Sequence, residues 1–278
     1  MKFIHENAEI YIPSGCENGL ERTTDLCVAA HQDDVEIMSY APISDCYKSE
    51  KRFFTAVVAT DGAGSPRKGK FADCTDDEMK KIRISEQKKA ADVGDYTALV
   101  LLGYKSGEIK DKDDLNAVDE IAKVILAAKP ENIYIHNFAD KHDTHVATAV
   151  KTLKAIRKIR NEFKPKKLYM MEVWRGLDWL CDYDKVLFDA SKYPNLAKEI
   201  LDVYESQIAG GKRYDLAAIG RRYANATFFE SHDTDSVSAV SYALDASSLI
   251  ESDETPNEFM QKYVDRFKSE VEKRLEKM

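Results

Sequence analysis

The sequence predicts an α/β fold in which a mostly parallel sheet is covered by helices on both faces. Short apolar runs rich in β-forming residues alternate with segments of helical periodicity, which is typical of buried parallel strands. The chain has 278 residues, 44% of them hydrophobic and 32% charged, as expected for a folded domain. The predicted strands are Leu26–Ala30, Phe53–Ala59, Ala98–Leu102, Ile133–Ile135 and Leu168–Val173.

Two helices are predicted from their capping residues. Thr75 and Glu78 have the spacing of a capping box, and Gly94 marks the end of the helix that follows. Thr255 and Glu258 repeat this pattern at the start of a helix near the C-terminus.

Two further helices are predicted from apolar periodicity. Residues Leu115–Ile125 keep a 3.6-residue period until Pro130, and Val146–Ile159 do the same. Pro42 interrupts the helix expected after the first strand, so we expect a looser excursion over 37–50.

The alternation of strands and helices weakens after residue 174. We therefore expect one domain over residues 1–278, with a core at about 22–180 and an extension at 181–278 packed on it. The stretch Ser206–Tyr214 is rich in Gly, Arg and Tyr, which is unusual for a plain helix face. The apolar stripe of the last helix could dock on its own domain or on a partner subunit, so a homo-oligomer is possible.

Composition excludes several classes of protein. The net charge of −8 argues against a nucleic-acid binder. The sequence contains no apolar run long enough to span a membrane, and its N-terminus lacks the apolar core of a signal peptide, so we expect a cytoplasmic protein. An odd number of cysteines without a CxxC pair indicates reduced thiols. The cysteines are Cys16, Cys27, Cys46, Cys74 and Cys181.

Two clusters of histidines and carboxylates follow predicted strands. His31, Asp33 and Asp34 come directly after the first strand, and His142 and His145 come soon after the fourth. Carboxylates at the end of a buried strand are costly unless they are paired or bind a metal. Because the carboxyl ends of parallel strands share one edge of a sheet, both clusters are expected to form one composite site.

The residue types fit a catalytic zinc site with three N or O ligands and an open position for water. His31, Asp34 and His145 would be the ligands, and Asp33 would be the general base that takes a proton from water. His142, as an imidazolium, could stabilise an oxyanion or protonate a leaving amine. The alternatives are structural: a histidine near a strand end is often only hydrogen-bonded, and adjacent aspartates can cap a helix.

Other candidates have weaker support. Arg67 follows the second strand and Arg175 follows the fifth, so either could bind substrate; each could equally be a solvated surface arginine. His136 is expected to end the fourth strand as a hydrogen-bond donor behind the ligands. His232 is expected on the surface.

These clusters resemble the signatures of the LmbE-like, or PIG-L, zinc deacetylases. The first cluster resembles their His-Pro-Asp-Asp-Glu signature and the second their later His-Pro-Asp-His signature. Further similar segments are Thr60–Gly64, the pair Arg83 and Glu86, and Glu172–Arg175. The resemblance spans about residues 22–180.

The resemblance implies a Rossmann-like sheet and hydrolysis of an N-acyl group from an amino sugar or its conjugate. It implies Zn²⁺, or another divalent transition metal, held by His31, Asp34 and His145. It also implies Asp33 as the base and His142 as the residue that stabilises the oxyanion or supplies a proton.

The chain departs from the family pattern at three places. Gln32 replaces a proline, which we expect to loosen the turn. Val35 precedes Glu36 as an inserted residue, which puts the usual supporting role of Glu36 in question. Thr144 occupies the position of a family aspartate that would orient His142 or tune its pKa. Asp143 or Asp140 could take over the role of that aspartate.

The resulting hypothesis is a metal-dependent N-deacetylase for a small amino-sugar substrate of the N-acetylglucosamine type. The first alternative is a hydrolase of a different N-acyl amide. The second is a non-catalytic sugar- or nucleotide-binding protein, although such a protein needs no residues that activate water. A dinucleotide-binding dehydrogenase is disfavoured, because Gly62-Ala63-Gly64 lacks the third glycine of the G-x-G-x-x-G motif. It also follows the second strand, whereas that motif follows the first.

Overall fold

The computed structural model describes residues 1–13, 15, 18–230 and 232–278. Its strands are β1 Glu9–Tyr11, β2 Asp25–Ala29, β3 Phe54–Thr60, β4 Ala98–Tyr104, β5 Asn132–His136, β6 Lys167–Met171, β7 Lys185–Asp189 and β8 Val240–Asp245. Its α-helices are α1 Asp34–Met38, α2 Tyr40–Cys46, α3 Asp76–Val93, α4 Ser106–Lys110, α5 Asn116–Ala128, α6 Asp143–Ile159, α7 Pro194–Asp202, α8 Glu205–Ala209, α9 Tyr214–Phe228, α10 Ser248–Glu251 and α11 Pro256–Leu275.

One eight-stranded sheet runs in the order β1-β4-β3-β2-β5-β6-β8-β7. The central strands from β4 to β6 are parallel, and they are the five that the sequence predicts. The antiparallel strands β1, β7 and β8 extend the two edges. The predicted fold class is confirmed. The chain builds outward from β2 in one direction and from β5 in the other, which makes the β2–β5 junction a topological switch point.

The central strands are buried on both faces. Alternate residues of β2 enter opposite halves of the core: Leu26 and Val28 on one side, Cys27 and Ala29 on the other. Helices α5, α6 and α11 cover the first face, while α2, α3 and α7 cover the second. This two-sided burial explains why these strands are apolar throughout instead of alternating.

The capping residues act as the sequence predicts. Thr75 with Glu78 and Thr255 with Glu258 form complete capping boxes, and Gly94 caps the end of α3. Each box satisfies backbone N–H groups that have no partner within the helix.

The predicted loose excursion over 37–50 is wrong. Residues Asp34–Met38 and Tyr40–Cys46 are helical, and the break lies at Ser39. Pro42 is the third residue of α2, where a backbone N–H would have no partner within the helix, so the proline removes no hydrogen bond.

The segment after residue 174 contributes two strands that the sequence pattern did not predict. Strand β8 pairs with β6, and β7 pairs with β8 at the edge of the sheet. In the last helix, Phe259 is buried in the core, whereas Val264, Phe267, Val271 and Leu275 are exposed.

Within the described residues, no helix has the length and apolar character that crossing a bilayer requires. Cys27, Cys46, Cys74 and Cys181 are free thiols, and Cys16 lies outside the described residues.

Candidate metal centre

The two predicted clusters meet at the carboxyl edge of the sheet. β2 and β5 are parallel neighbours, so the segments that follow them emerge side by side. His31, Asp33, Asp34 and His142 line one cavity of about 310 Å³ at this point. This is the position, at a topological switch point, where open α/β sheets bind ligands.

The turn after β2 is held in an unusual backbone conformation. Asp33 has φ +83°, a region that side chains other than glycine rarely adopt. The turn brings Asp34 back so that its Oδ2 accepts the His31 N–H at 2.8 Å. Strain of this kind persists where the surroundings enforce it, and it often marks a functional site.

Close packing explains two features of this turn. Gln32 is buried and donates from Nε2 to the Thr60 carbonyl at 3.0 Å, so it ties the turn to β3 instead of loosening it. Gly62 has φ +75°, and a Cβ there would lie 2.5 Å from Gln32 Oε1. The loop after β3 therefore needs a glycine where it passes over the turn.

Three predicted ligands form a tight triangle of donor atoms. His31 Nδ1 lies 3.0 Å from Asp34 Oδ2 and 3.2 Å from His145 Nε2. Asp34 Oδ2 lies 3.2 Å from His145 Nε2. Donors on one tetrahedral ion with bonds of about 2.1 Å are about 3.4 Å apart. The three residues therefore fit one small divalent cation.

His136 lies beside this triangle but is already engaged. Its Nε2 is 3.6 Å from Asp34 Oδ2, yet it accepts the Ala30 N–H at 2.9 Å. Burial holds the pKa of His136 well below its usual range, so the ring is neutral. Because the Nε2 lone pair accepts the Ala30 N–H, this nitrogen cannot also bind a metal ion. The sequence predicted that His136 would donate a hydrogen bond, but its ring accepts one. The ring also stacks on that of His145, with the two ring centroids 4.0 Å apart.

Asp140 supports His145 from behind. Its Oδ1 lies 3.5 Å from His145 Nδ1 and also accepts the His142 N–H at 3.0 Å. Burial alone would lower the pKa of His145, but the charge of Asp34, reinforced by Asp140, raises it to about 10. The pocket is thus built to hold positive charge at this point. A carboxylate on the outer nitrogen of a ligating histidine is the usual arrangement in metal sites.

Asp33 lines the same cavity as the ligands His31 and Asp34 and pairs with Arg83. Its Oδ2 lies 2.8 Å from Arg83 Nη2, which also donates to the Gln32 carbonyl. Arg83 is itself buried and makes a second ion pair with Glu86 at 2.9 Å. Burial raises the pKa of Asp33 above its ordinary value, although Arg83 opposes this shift. A carboxylate with a raised pKa is suited to accept and return a proton near neutral pH.

Glu36 is linked to Asp33 through Gln87. It is fully buried and accepts hydrogen bonds from Tyr96 at 2.6 Å, Tyr204 at 2.5 Å and Gln87 at 2.9 Å. Burial raises the pKa of Glu36 to about 7. Gln87 in turn accepts the Asp33 N–H at 3.3 Å. Despite the inserted Val35, Glu36 therefore supports the turn that carries Asp33.

His142 is held as a neutral donor. It lies at the N-terminus of α6, where its Nδ1 accepts the Thr144 N–H at 3.3 Å. Burial, with the neighbouring His145 and His31, lowers its pKa, which opposes the predicted imidazolium. In the neutral ring the proton is then on Nε2. Of the two proposed substitutes for the family aspartate, Asp143 is exposed and Asp140 contacts His145.

The structure does not bring the two predicted substrate-binding arginines to the cavity. Arg67 donates to the Ala63 carbonyl at 2.9 Å and pairs with Asp76, so its guanidinium braces its own loop. Arg175 is exposed, and its backbone N–H faces Asp140 Oδ2 at 3.4 Å. His232 is exposed, as expected.

Other residues that line the cavity were not predicted. Among them are Lys110, Trp174, Gln207, Lys212 and Tyr214. Gln207, Lys212 and Tyr214 belong to the polar segment Ser206–Tyr214, whose unusual composition was the signal that could have identified them.

Comparison with known proteins places this site in a family context. The model of the family described as PIG-L, GlcNAc-PI de-N-acetylase, matches residues 26–171, more than half of the chain. No curated protein matches the sequence.

Solved structures of similar fold have diverse activities. N,N'-diacetylchitobiose deacetylase from Pyrococcus horikoshii is 13% identical with a TM-score of 0.65, covering 86% of this chain and 90% of its own. A conserved protein from Thermus thermophilus is 16% identical with a TM-score of 0.64, covering 81% and 94%. The 4-carboxy-2-hydroxymuconate hydratase from Pseudomonas putida is 15% identical with a TM-score of 0.63, covering 81% and 96%. At such identities the likeness establishes the fold alone.

Proposed function

We propose that this chain, which belongs to the PIG-L family, is a metal-dependent N-deacetylase of amino sugars or their conjugates, of the N-acetylglucosamine type. The observation that carries this proposal is the donor triangle of His31, Asp34 and His145 with Asp33 beside it in one cavity. A similar fold also occurs in a hydratase, so the fold alone does not decide the reaction. The chemistry of the site decides between these reactions.

His31, Asp34 and His145 would hold Zn²⁺ or another divalent transition metal. Such an ion would polarise the amide carbonyl and lower the pKa of a water molecule to about 7. Two nitrogens and one carboxylate oxygen suit several such metals, so the ligand set leaves the ion open.

The remaining residues would move the protons. Asp33 would take a proton from the attacking water while the water oxygen bonds to the amide carbon. His142 would donate a hydrogen bond from Nε2 to the carbonyl oxygen as charge develops there. When the carbon–nitrogen bond breaks, Asp33 would return its proton to the amine, which leaves acetate and a free amino group. Arg83 would hold the Asp33 carboxylate in place throughout.

We infer that residues 1–278 act as one domain in the cytoplasm on a small-molecule substrate. A longer N-acyl amide is the alternative within the same chemistry. A homo-oligomer stays a prediction.

The first experiment measures bound metal and acetate release on the same protein preparation, with a panel of N-acetylated amino sugars. Asp33→Asn should abolish acetate release while the metal content stays unchanged. Asp143→Asn is the matched control, because it makes the same change at an exposed aspartate near the site and should leave turnover intact.

The outcomes separate the hypotheses. Bound metal with acetate release that depends on Asp33 supports the proposal. Bound metal without acetate release would contradict the N-deacetylase assignment and favour the alternative, a hydrolase of a different N-acyl amide. Failure to bind any divalent metal would overturn the site and favour a binding protein.

A further inference from the structure

A second cavity opens beside the metal centre. Its volume is about 220 Å³, and its wall includes Ile37, Val173, Ala217 and Ala218. An apolar cavity of about 150 Å³ is large enough to bind benzene. The second cavity is therefore large enough for a single ring or a short alkyl chain.

One helix, α9, forms most of one wall of this cavity, and its short side chains leave the space open. Tyr214, Ala217, Ala218 and Arg221 lie at positions i, i+3, i+4 and i+7 of α9 and form one stripe along it. The two central residues of the stripe are alanines, and any longer side chain there would occupy the space. Arg221 donates to the Val173 carbonyl across the cavity, so part of its hydrogen-bonding capacity is already used within the wall.

Trp174 and Tyr214 line both cavities and form the boundary between them. Their rings meet edge to face with centroids 6.3 Å apart and an interplanar angle of 83°. Trp174 also lies 6.3 Å from the His142 ring, so the boundary is next to the proposed reacting centre. A substrate that occupied both cavities would therefore contact both rings.

The walls of the two cavities differ in chemistry. The first carries the histidines and carboxylates of the centre together with Lys110 and Lys212. The second consists of aliphatic and aromatic side chains with one engaged guanidinium. A substrate that fills both would be polar at one end and apolar at the other.

We propose that the second cavity binds an uncharged ring or short alkyl group carried by the amide substrate whose N-acyl group is cleaved at the metal centre. This inference rests on the proposed function, and it names the substrate class: an amino-sugar amide with an apolar substituent. The substituent is attached either to the sugar as an aglycone or to the carbonyl as a longer acyl chain. Burying its apolar surface against Trp174 and Ala217 supplies the binding energy.

The test compares three substrates on the metal-loaded protein: N-acetylglucosamine, its phenyl β-glycoside, and N-hexanoylglucosamine. The phenyl or the hexanoyl compound should have the higher kcat/KM. Ala217→Leu, which fills the cavity, should reduce that advantage by about tenfold or more and leave N-acetylglucosamine unaffected. Gly220→Leu is the matched control, because it places a leucine on the same helix where the structure leaves open space.

A binding measurement keeps the inference separate from the activity. The chain has two tryptophans, so a Trp179→Phe background leaves Trp174 as the fluorescent reporter. Phenyl β-glucoside, which has no amide, should change this fluorescence, and glucose should not. Ala217→Leu should weaken the response to phenyl β-glucoside about tenfold.

The outcomes are distinguishable. If no amide is hydrolysed but phenyl β-glucoside binds in an Ala217-dependent manner, the proposed function fails and the apolar site stands. If neither apolar substituent improves kcat/KM, or if Ala217→Leu changes all three substrates equally, the inference is overturned. The substrate that loses its advantage in Ala217→Leu identifies whether the aglycone or the acyl chain enters.

Discussion

Replacing Asp140 by asparagine isolates the support behind one proposed ligand. Asp140 contacts no proposed substrate atom, but its Oδ1 lies 3.5 Å from His145 Nδ1. Asparagine keeps the shape and removes the negative charge. Loss of such an outer carboxylate typically weakens metal binding by 10–100-fold, or about 1.4–2.8 kcal/mol. We therefore expect Asp140→Asn to raise the Kd for Zn²⁺ by that factor.

The same substitution has a separate cost in stability. The two oxygens of Asp140 accept the backbone N–H groups of His142 and Trp174, each at 3.0 Å. Asparagine supplies one oxygen, so one of these amides faces an NH₂ group and loses its acceptor. Such a loss costs about 1–3 kcal/mol. The metal-free variant should therefore unfold at a lower temperature than the metal-free wild type.

The assay is competition for Zn²⁺ against a chelator of known affinity, with unfolding followed separately in the metal-free proteins. Asp143→Asn, an exposed change on α6, should alter neither quantity. The reasoning is refuted if Asp140→Asn lowers stability but leaves the Kd for Zn²⁺ unchanged. That result would make Asp140 a structural residue of the loop with no influence on the metal.

Two further predictions concern ion pairs made by buried carboxylates. In the variant Arg83→Lys, the lysine keeps the positive charge but cannot reach Asp33, Glu86 and the Gln32 carbonyl together. We therefore expect kcat to fall about 10–100-fold while the metal content stays unchanged. An unaltered kcat would show that Arg83 does not position Asp33. Buried Asp25 pairs with Arg52 at 2.7 Å. Burial alone would raise the pKa of Asp25, but the Arg52 guanidinium holds this pKa below its usual range. The pair therefore stabilises the fold at pH values above the pKa of Asp25 in the unfolded chain, and this stabilisation is lost as the pH falls through the pKa of Asp25 in the folded protein. Arg52→Gln should therefore lower the melting temperature more at pH 7 than at about pH 3.5, where Asp25 of the variant can be protonated; an equal loss at both pH values would contradict this assignment.

The sequence revealed those elements whose signals are local. The five central strands are apolar along their whole length because both faces are buried, and this is visible without any partner. The caps of α3 and α11 are likewise complete within four residues. Strand β7 is a half-buried edge strand whose place depends on β8, and β8 depends on β6, about seventy residues earlier. No local pattern contains that dependence.

The site follows the same rule. His31, Asp33 and Asp34 are adjacent in the chain, so their joint role was visible in the sequence. Asp140 was one of two candidates, and only the packing of the loop decides between it and Asp143. Tyr214 is the first residue of α9 and lines the cavity. Its contribution depends on how α9 packs, which the sequence of α9 alone does not specify.

Charge balance argues for a divalent ion over a proton at this centre. Arg83 pairs with both Asp33 and Glu86, while Asp34 and Asp140 place two further negative charges on either side of His145. A proton on His145 cancels one of them, and the charge that remains is buried, which is costly. A divalent cation held by His31, Asp34 and His145 would cancel both and would release the proton from His145. The two carboxylates on His145 thus favour a doubly charged ion, and the separate pairing of Asp33 with Arg83 keeps the proposed base out of the ligand set.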